Sequence, residues 1–179
     1  MVYIFLAPGF EEAEALVPAD LLRRAGIDTA LVGTERGPVA GGHGIAVLPD
    51  MELPQVALED AEMLVLPGGG RGVDNLACGP QVEQLIRLAA AQGIPIAAIC
   101  AAPTLLARWG LLEGKRAVCF PGLEGKLAGA RHTGASVVTD GATITGRAAG
   151  SAFDFGLELV KFLAGEEKAE EVRHNVHYR

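Results

Sequence analysis

A cysteine closes an apolar run and opens a helix: Ile94-Pro-Ile-Ala-Ala-Ile-Cys100 leads directly into Ala-Ala-Pro103-Thr-Leu-Leu. The run is short enough for a buried strand, and Pro103 stands in a first helical turn, where its missing N–H does no harm. A Cys at such a junction lies at the carboxyl edge of a sheet, where open α/β folds bind ligands. It also lies at a helix N-terminus, whose partial positive charge favours thiolate over thiol. The expected geometry is a nucleophile elbow with sulfur in place of serine oxygen. A buried structural cysteine is the competing reading, because free Cys is among the most buried residue types.

Three further elements converge on the same sheet edge. Glu11-Glu12-Ala-Glu14 follows the first apolar run. Acids in a first helical turn ordinarily complement the helix dipole at the surface, and that is the expectation for Glu11 and Glu12. Glu14 lies one turn deeper. Pointing inward, it would be kept protonated by burial and could donate to a thiolate and move protons. Pro67-Gly68-Gly69-Gly70 ends another apolar run, and consecutive glycines let backbone N–H groups approach a ligand, as an oxyanion hole requires. The spacing fits neither the dinucleotide fingerprint nor a phosphate loop, and a plain tight turn is the alternative. His132, in Arg131-His132-Thr133, could supply the base that a nucleophilic Cys uses. Of the other histidines, His43 sits in a Gly-rich turn and is expected to be exposed. His174 and His177 lie in the charged tail, where a solvated face outweighs a two-ligand metal site. Cys119 is expected in the core, and Cys78 in an exposed turn.

The elements that position these groups alternate between strand and helix. Val2–Ala7, Asp28–Val32, Glu62–Leu66 and the run ending at Cys100 read as strands, and Glu11–Ala25, Gln81–Ala91, Pro103–Trp109 and Phe153–Leu163 as helices. Extended pieces around Gly41-Gly42-His43-Gly44 suggest a hairpin, and Asp140-Gly141 a second one with a type I′ turn. Ala117–Phe120 is a further expected strand, and Glu166–Arg179 extends the last helix or adds one more helical turn. The order predicts one α/β domain over residues 1–179, with a mostly parallel sheet and helices on both faces.

Bulk properties narrow the function classes. The chain has 179 residues, half of them apolar, and a net charge of −7, which offers no electrostatic footprint for nucleic acid or an anionic membrane. Three cysteines cannot complete a disulfide framework, and there is no Cys-x-x-Cys pair, which points to a reducing cytoplasm. Neither a signal peptide nor a membrane-spanning segment is visible, so a soluble protein is expected.

Together these elements resemble the ThiJ/PfpI family, in the branch of the Parkinson-disease-associated protein deglycase and its bacterial relatives. The resemblance runs through Ala7-Pro-Gly-Phe-Glu-Glu-Ala-Glu14, Leu22-Arg-Arg-Ala-Gly-Ile, Val65-Leu-Pro-Gly-Gly-Gly, Ala97-Ala-Ile-Cys-Ala-Ala-Pro-Thr104 and Thr145-Gly-Arg-Ala-Ala-Gly-Ser-Ala-Phe-Asp-Phe155. It implies a flavodoxin-like three-layer sandwich that forms a homodimer, with Cys100 as the reactive, oxidation-sensitive thiol and Glu14 as the buried acid bonded to it. His132 is similar to the family's active-site histidine, though the local match is looser. Backbone N–H groups near Gly69 and Ala101 would hold a developing oxyanion. Arg24 matches an arginine near the family's dimer interface and active site. Departures matter too. Ala101 stands where the peptidase-like branch has a His after the cysteine, which argues against proteolysis. A downstream His-x-Glu, needed by class I glutamine amidotransferases, is missing, and Ala102 stands where close relatives usually carry Gly.

The implied chemistry is a cofactor-free, metal-free attack of Cys100 on α-oxoaldehydes such as methylglyoxal, free or attached to protein side chains, releasing a 2-hydroxy acid. An alternative from another class is a redox-sensing or chaperone-like dimer responding to oxidative stress with little turnover, its Cys100 oxidised to a stabilised sulfinate.

Overall fold

In the computed structural model, which describes all of residues 1–179, strand β1 (Val2–Leu6) is buried along its whole length. Tyr3 and Phe5 point to one side of the sheet and Val2, Ile4 and Leu6 to the other, each set inside its own apolar cluster. A strand covered on both faces must read as a continuous apolar run rather than an alternating one, as this one does.

The remaining elements follow in order. They are α1 (Glu12–Arg24), β2 (Thr29–Gly33), β3 (Val39–Ala40), β4 (Ala46–Val47), β5 (Met51–Glu52), β6 (Met63–Leu66), α2 (Gly70–Cys78), α3 (Pro80–Ala91) and β7 (Ile96–Ile99). After them come α4 (Pro103–Arg108), β8 (Arg116–Ala117), β9 (Arg131–His132), β10 (Val137–Asp140), β11 (Thr143–Gly146), α5 (Ala152–Ala164) and α6 (Glu166–Asn175). The main sheet has the order β10-β11-β7-β6-β1-β2-β5. Its pairs are parallel except the β10–β11 hairpin, which turns at Gly141 with φ 61°. Helices α2, α3 and α4 pack on one face through Val73, Leu76, Val82, Ile86, Leu105 and Leu106. Helices α1, α5 and α6 cover the other through Ala15, Leu22, Phe155, Val160 and Val172. This is the three-layer, mostly parallel sandwich that the sequence predicts.

Four local expectations need correction. The glycines after β6 do not end in a turn: Gly70 opens a nine-residue helix. Gly72 is required there because a side chain would stand 2.7 Å from the Phe10 Cα. The strand expected at Ala117–Phe120 shrinks to Arg116–Ala117, paired in parallel with Arg131–His132. Beyond it the Val118 N–H donates to Thr145 Oγ1 (3.0 Å) and the Phe120 N–H to the Cys100 carbonyl (2.7 Å), so this segment is held by single bonds rather than a ladder. A further edge strand, Met51–Glu52, pairs with β2. The tail forms its own ten-residue helix, set off from α5 by Gly165.

Candidate active site

Cys100 sits one residue beyond β7 with φ 66°, one of two non-glycine residues with positive φ. Its backbone is fastened on both sides, the N–H donating to the Gly146 carbonyl (2.9 Å) and the carbonyl accepting from the Phe120 N–H (2.7 Å). A left-handed non-glycine residue typically costs ~1–3 kcal/mol and persists only where its surroundings over-determine it. The two bonds do so here, turning the thiol out of the sheet edge at a strand-to-helix junction.

Beneath the thiol lies Glu14, in the first turn of α1 and 0% exposed. Its Oε2 accepts the Gly68 N–H at 2.9 Å, while Oε1 is fully buried with no hydrogen-bond partner; the carboxyl as a whole interacts with the Cys100 thiol. Burial raises the carboxyl pKa to about 7, against the opposing effect of the Cys100 and Gly68 bonds. Gly68 is glycine for want of space: a methyl there would stand 2.5 Å from Glu14 Oε2 and 2.6 Å from Cys100 Cβ.

The thiol is not activated in the way its position suggested. Burial, the Glu14 charge and the Glu14 hydrogen bond push the Cys100 pKa up to about 12, and the Gly69 and Ala101 N–H groups that favour the charged sulfur only partly offset this. Helix α4 is short and begins three residues on, so its dipole is too weak to outweigh desolvation. Glu14 and Cys100 therefore titrate as a pair. The first proton leaves near neutral pH and the second only in strong base. Above about pH 7 the pair holds one proton and one negative charge, a state in which Glu14 can exchange a proton with the sulfur.

The other expected site residues divide. Gly69 and Ala101, expected to hold an oxyanion, present their N–H groups to the Cys100 sulfur itself. The Gly68 N–H is committed to Glu14, so Gly68 positions the acid and is not an oxyanion donor. His132 lies on β9, exposed and paired with Ala117, with Glu124 as its charged neighbour, and it hydrogen bonds neither Cys100 nor Glu14. Arg24 is exposed at the far end of α1, paired with Asp20 at 2.6 Å. Ten residues of helix put it ~15 Å along the axis from Glu14, so it does not reach Cys100 of its own chain. Cys119 is buried with its pKa raised to about 11 by burial and by Glu124, and Cys78 is exposed.

One arrangement escaped the sequence. Glu12, expected at the surface, is 6% exposed. Its carboxylate accepts the His43 N–H (2.7 Å) and contacts His43 Nδ1 (2.8 Å). Burial alone would raise its pKa, but these bonds from His43 and its neighbours hold it below the usual carboxylate range. The only sequence signal is a Gly-Gly-His-Gly turn whose amides need an acceptor.

An elbow cysteine over a buried glutamate, on a mostly parallel sheet between helical layers, defines a class of α/β proteins with a thiol at the sheet's carboxyl edge. The chain belongs to the DJ-1/PfpI family, whose sequence model matches residues 1–162. It is 40% identical over 172 residues to protein dj-1beta of Drosophila melanogaster, covering 94% of this chain and 92% of that one. It is 31% identical over 166 residues to a deglycase of Pyrococcus horikoshii, covering 91% and 99%. A DJ-1 superfamily protein of Salmonella typhimurium has a crystal structure that superposes with a TM-score of 0.93 at 36% identity, covering 99% of this chain and 98% of that one.

Proposed function

We propose that the protein is a cofactor-independent glyoxalase or protein deglycase that uses Cys100 to convert α-oxoaldehydes such as methylglyoxal, or their adducts on protein side chains. The observation that carries this reading is the Glu14–Cys100 pair: a thiol at a constrained turn facing a buried carboxyl poised near neutral pH. The relative named a deglycase in Pyrococcus horikoshii supports it.

The sulfur attacks the aldehyde carbon as Glu14 accepts the thiol proton. The C–S bond forms, the C=O electron pair moves onto oxygen, and the product is a hemithioacetal. The Gly69 and Ala101 N–H groups lie beside the sulfur, two bonds from that oxygen; a donor of this kind is typically worth ~3 kcal/mol. Glu14 passes the thiol proton on to that oxygen, which leaves its carboxylate free to remove the proton on the attacked carbon and return it to the neighbouring carbon, through an enediol, giving a thioester. Water hydrolyses the thioester to the 2-hydroxy acid and frees the thiol. The net change adds one water to methylglyoxal to give lactate, with no oxidant or reductant. For a glycated side chain the sulfur attacks the carbinol carbon of the adduct, the C–N or C–S bond to the side chain breaks, and the amine or thiol leaves with the thiol proton, giving the same hemithioacetal on Cys100. Ala101 in place of a histidine argues against peptidase activity.

The test is lactate production from methylglyoxal without glutathione, in wild type, Cys100→Ala and Glu14→Gln. Turnover confined to the wild type supports the reading, and unchanged turnover in Cys100→Ala refutes it. The homodimer and the cytoplasmic location belong to the proposal as well, the first checked by sedimentation and the second by fractionation. For its part, the structure has no helix long and apolar enough to cross a membrane.

A second reading has its own support, because the N–H groups around the Cys100 sulfur would hold a sulfinate as readily as an oxyanion. Two equivalents of hydrogen peroxide would oxidise the thiol through sulfenate to sulfinate, releasing water. Mass spectrometry showing oxygen uptake only at Cys119 or Cys78 would rule out a sensor at Cys100.

A further inference from the structure

We propose that Glu11, Glu12 and His43 form a binding site for one divalent transition-metal ion, of the zinc or cobalt type, on the surface beside the elbow. Each residue offers one ligand atom, and the three atoms lie within 4.8 Å of one another. His43 Nδ1 is 2.8 Å from Glu12 Oε2 and 3.6 Å from Glu11 Oε2. Metal–oxygen and metal–nitrogen bonds of about 2.0–2.2 Å place neighbouring ligand atoms roughly 3.0–3.5 Å apart. Seating an ion between His43 and Glu12 therefore asks their ligand atoms to part by roughly 0.2–0.7 Å, while His43 and Glu11 already stand near the required spacing.

Two features separate this cluster from acidic side chains that meet by chance. First, Glu12 is buried, and its Oε1 is pinned by the N–H groups of His43 (2.7 Å) and Ile45 (3.4 Å), which aims Oε2 outward at the imidazole. Backbone donors that fix the free oxygen of a ligating carboxylate are the outer shell of a metal site. Second, the ligands come from two elements locked together. The Gly42 N–H donates to the Phe10 carbonyl (2.8 Å) and the Gly9 N–H to the Ala40 carbonyl (2.8 Å), so the β3–β4 hairpin is fixed against the start of α1. The His43 side chain is 69% exposed, which leaves the outer face open for water or a ligand atom from a bound molecule. One imidazole and two carboxylates suit zinc, cobalt or manganese better than a thiolate-seeking ion.

The experiment is isothermal titration of Co²⁺ into the reduced full-length protein, with the absorption spectrum followed in parallel. One equivalent is expected to bind, without the intense band of a cobalt–thiolate bond. His43→Ala, at an exposed side chain that the fold does not need, weakens binding at least tenfold. Glu12→Gln does the same, while a His174→Ala/His177→Ala double variant leaves binding unchanged. Any of three results overturns the proposal. They are no binding up to millimolar cobalt, affinity unaffected by His43→Ala, and a thiolate band placing the ion at Cys100 or Cys78.

Discussion

Glu12 and Glu14 stand two residues apart in the first turn of α1, both buried, and their surroundings send them in opposite directions. Glu12 meets two backbone N–H groups and an imidazole, and its carboxyl is held below the ordinary range. Glu14 meets one backbone N–H and a thiol, keeps an oxygen without a donor, and rises to about 7. Residues at i and i+2 leave a helix on different sides, so a shared turn places one under the β3–β4 hairpin and the other under the elbow. Burial is common to both; the supply of donors decides the charge. The satisfied glutamate holds structure together, and the unsatisfied one is available for chemistry.

The contrast is broken most severely at the thiol that Glu14 serves. Cys100→Ala is expected to lower the rate of methylglyoxal conversion on the order of a thousandfold or more, measured as lactate released. Glu14→Gln comes next, with a loss of about 10²–10⁴-fold for removing a general acid–base. That substitution should also raise stability. Glu14 has a folded pKa near 7 against 4.5 for the free group, so above pH 4.5 the unfolded chain ionises first and the native state is penalised. The penalty grows up to pH 7 and is constant beyond, worth roughly 3 kcal/mol. Denaturant unfolding at pH 8 and pH 4 should show Glu14→Gln stabilised at the higher pH and level with the wild type at the lower.

Glu12→Gln is expected to do the reverse, costing about 1–2 kcal/mol of stability by weakening bonds to a charged acceptor. Its folded pKa is lowered, so this stabilisation exists above the free pKa and is lost as pH falls through the folded value. Thermal melts at pH 7 and pH 3 would show the difference between variant and wild type closing at low pH. The smallest effect belongs to Cys119→Ala, which should cost about 1 kcal/mol and leave turnover untouched. Its thiol is buried away from the Glu14–Cys100 pair, and the carboxylate that it senses, Glu124, is itself exposed.

How much of this could be read in the chain follows from the range of the interactions. The strands β1, β6 and β7 announce themselves because a sheet covered on both faces needs unbroken apolar runs. Cys100 and Glu14 are legible through local motifs. Helix α2 is hidden because its glycines look like a loop, although Gly72 is there for close packing against Phe10. The bond between Glu12 and His43 joins residues 31 apart, and no local pattern records it. The state of the Cys100 thiol is hidden for a related reason: the dipole of a following helix is visible in sequence, while the desolvation that outweighs it depends on the packed site.

The most direct test of the account is the pH profile of kcat/KM for methylglyoxal in wild type and Glu14→Gln. If Glu14 and Cys100 share one proton near neutrality, the wild-type rate rises with pH through an apparent pKa near 7, where the pair loses its first proton. In Glu14→Gln that limb disappears from the neutral range. The same limb at the same pH in both proteins would contradict the account, because the group titrating there would then not be the Glu14–Cys100 pair.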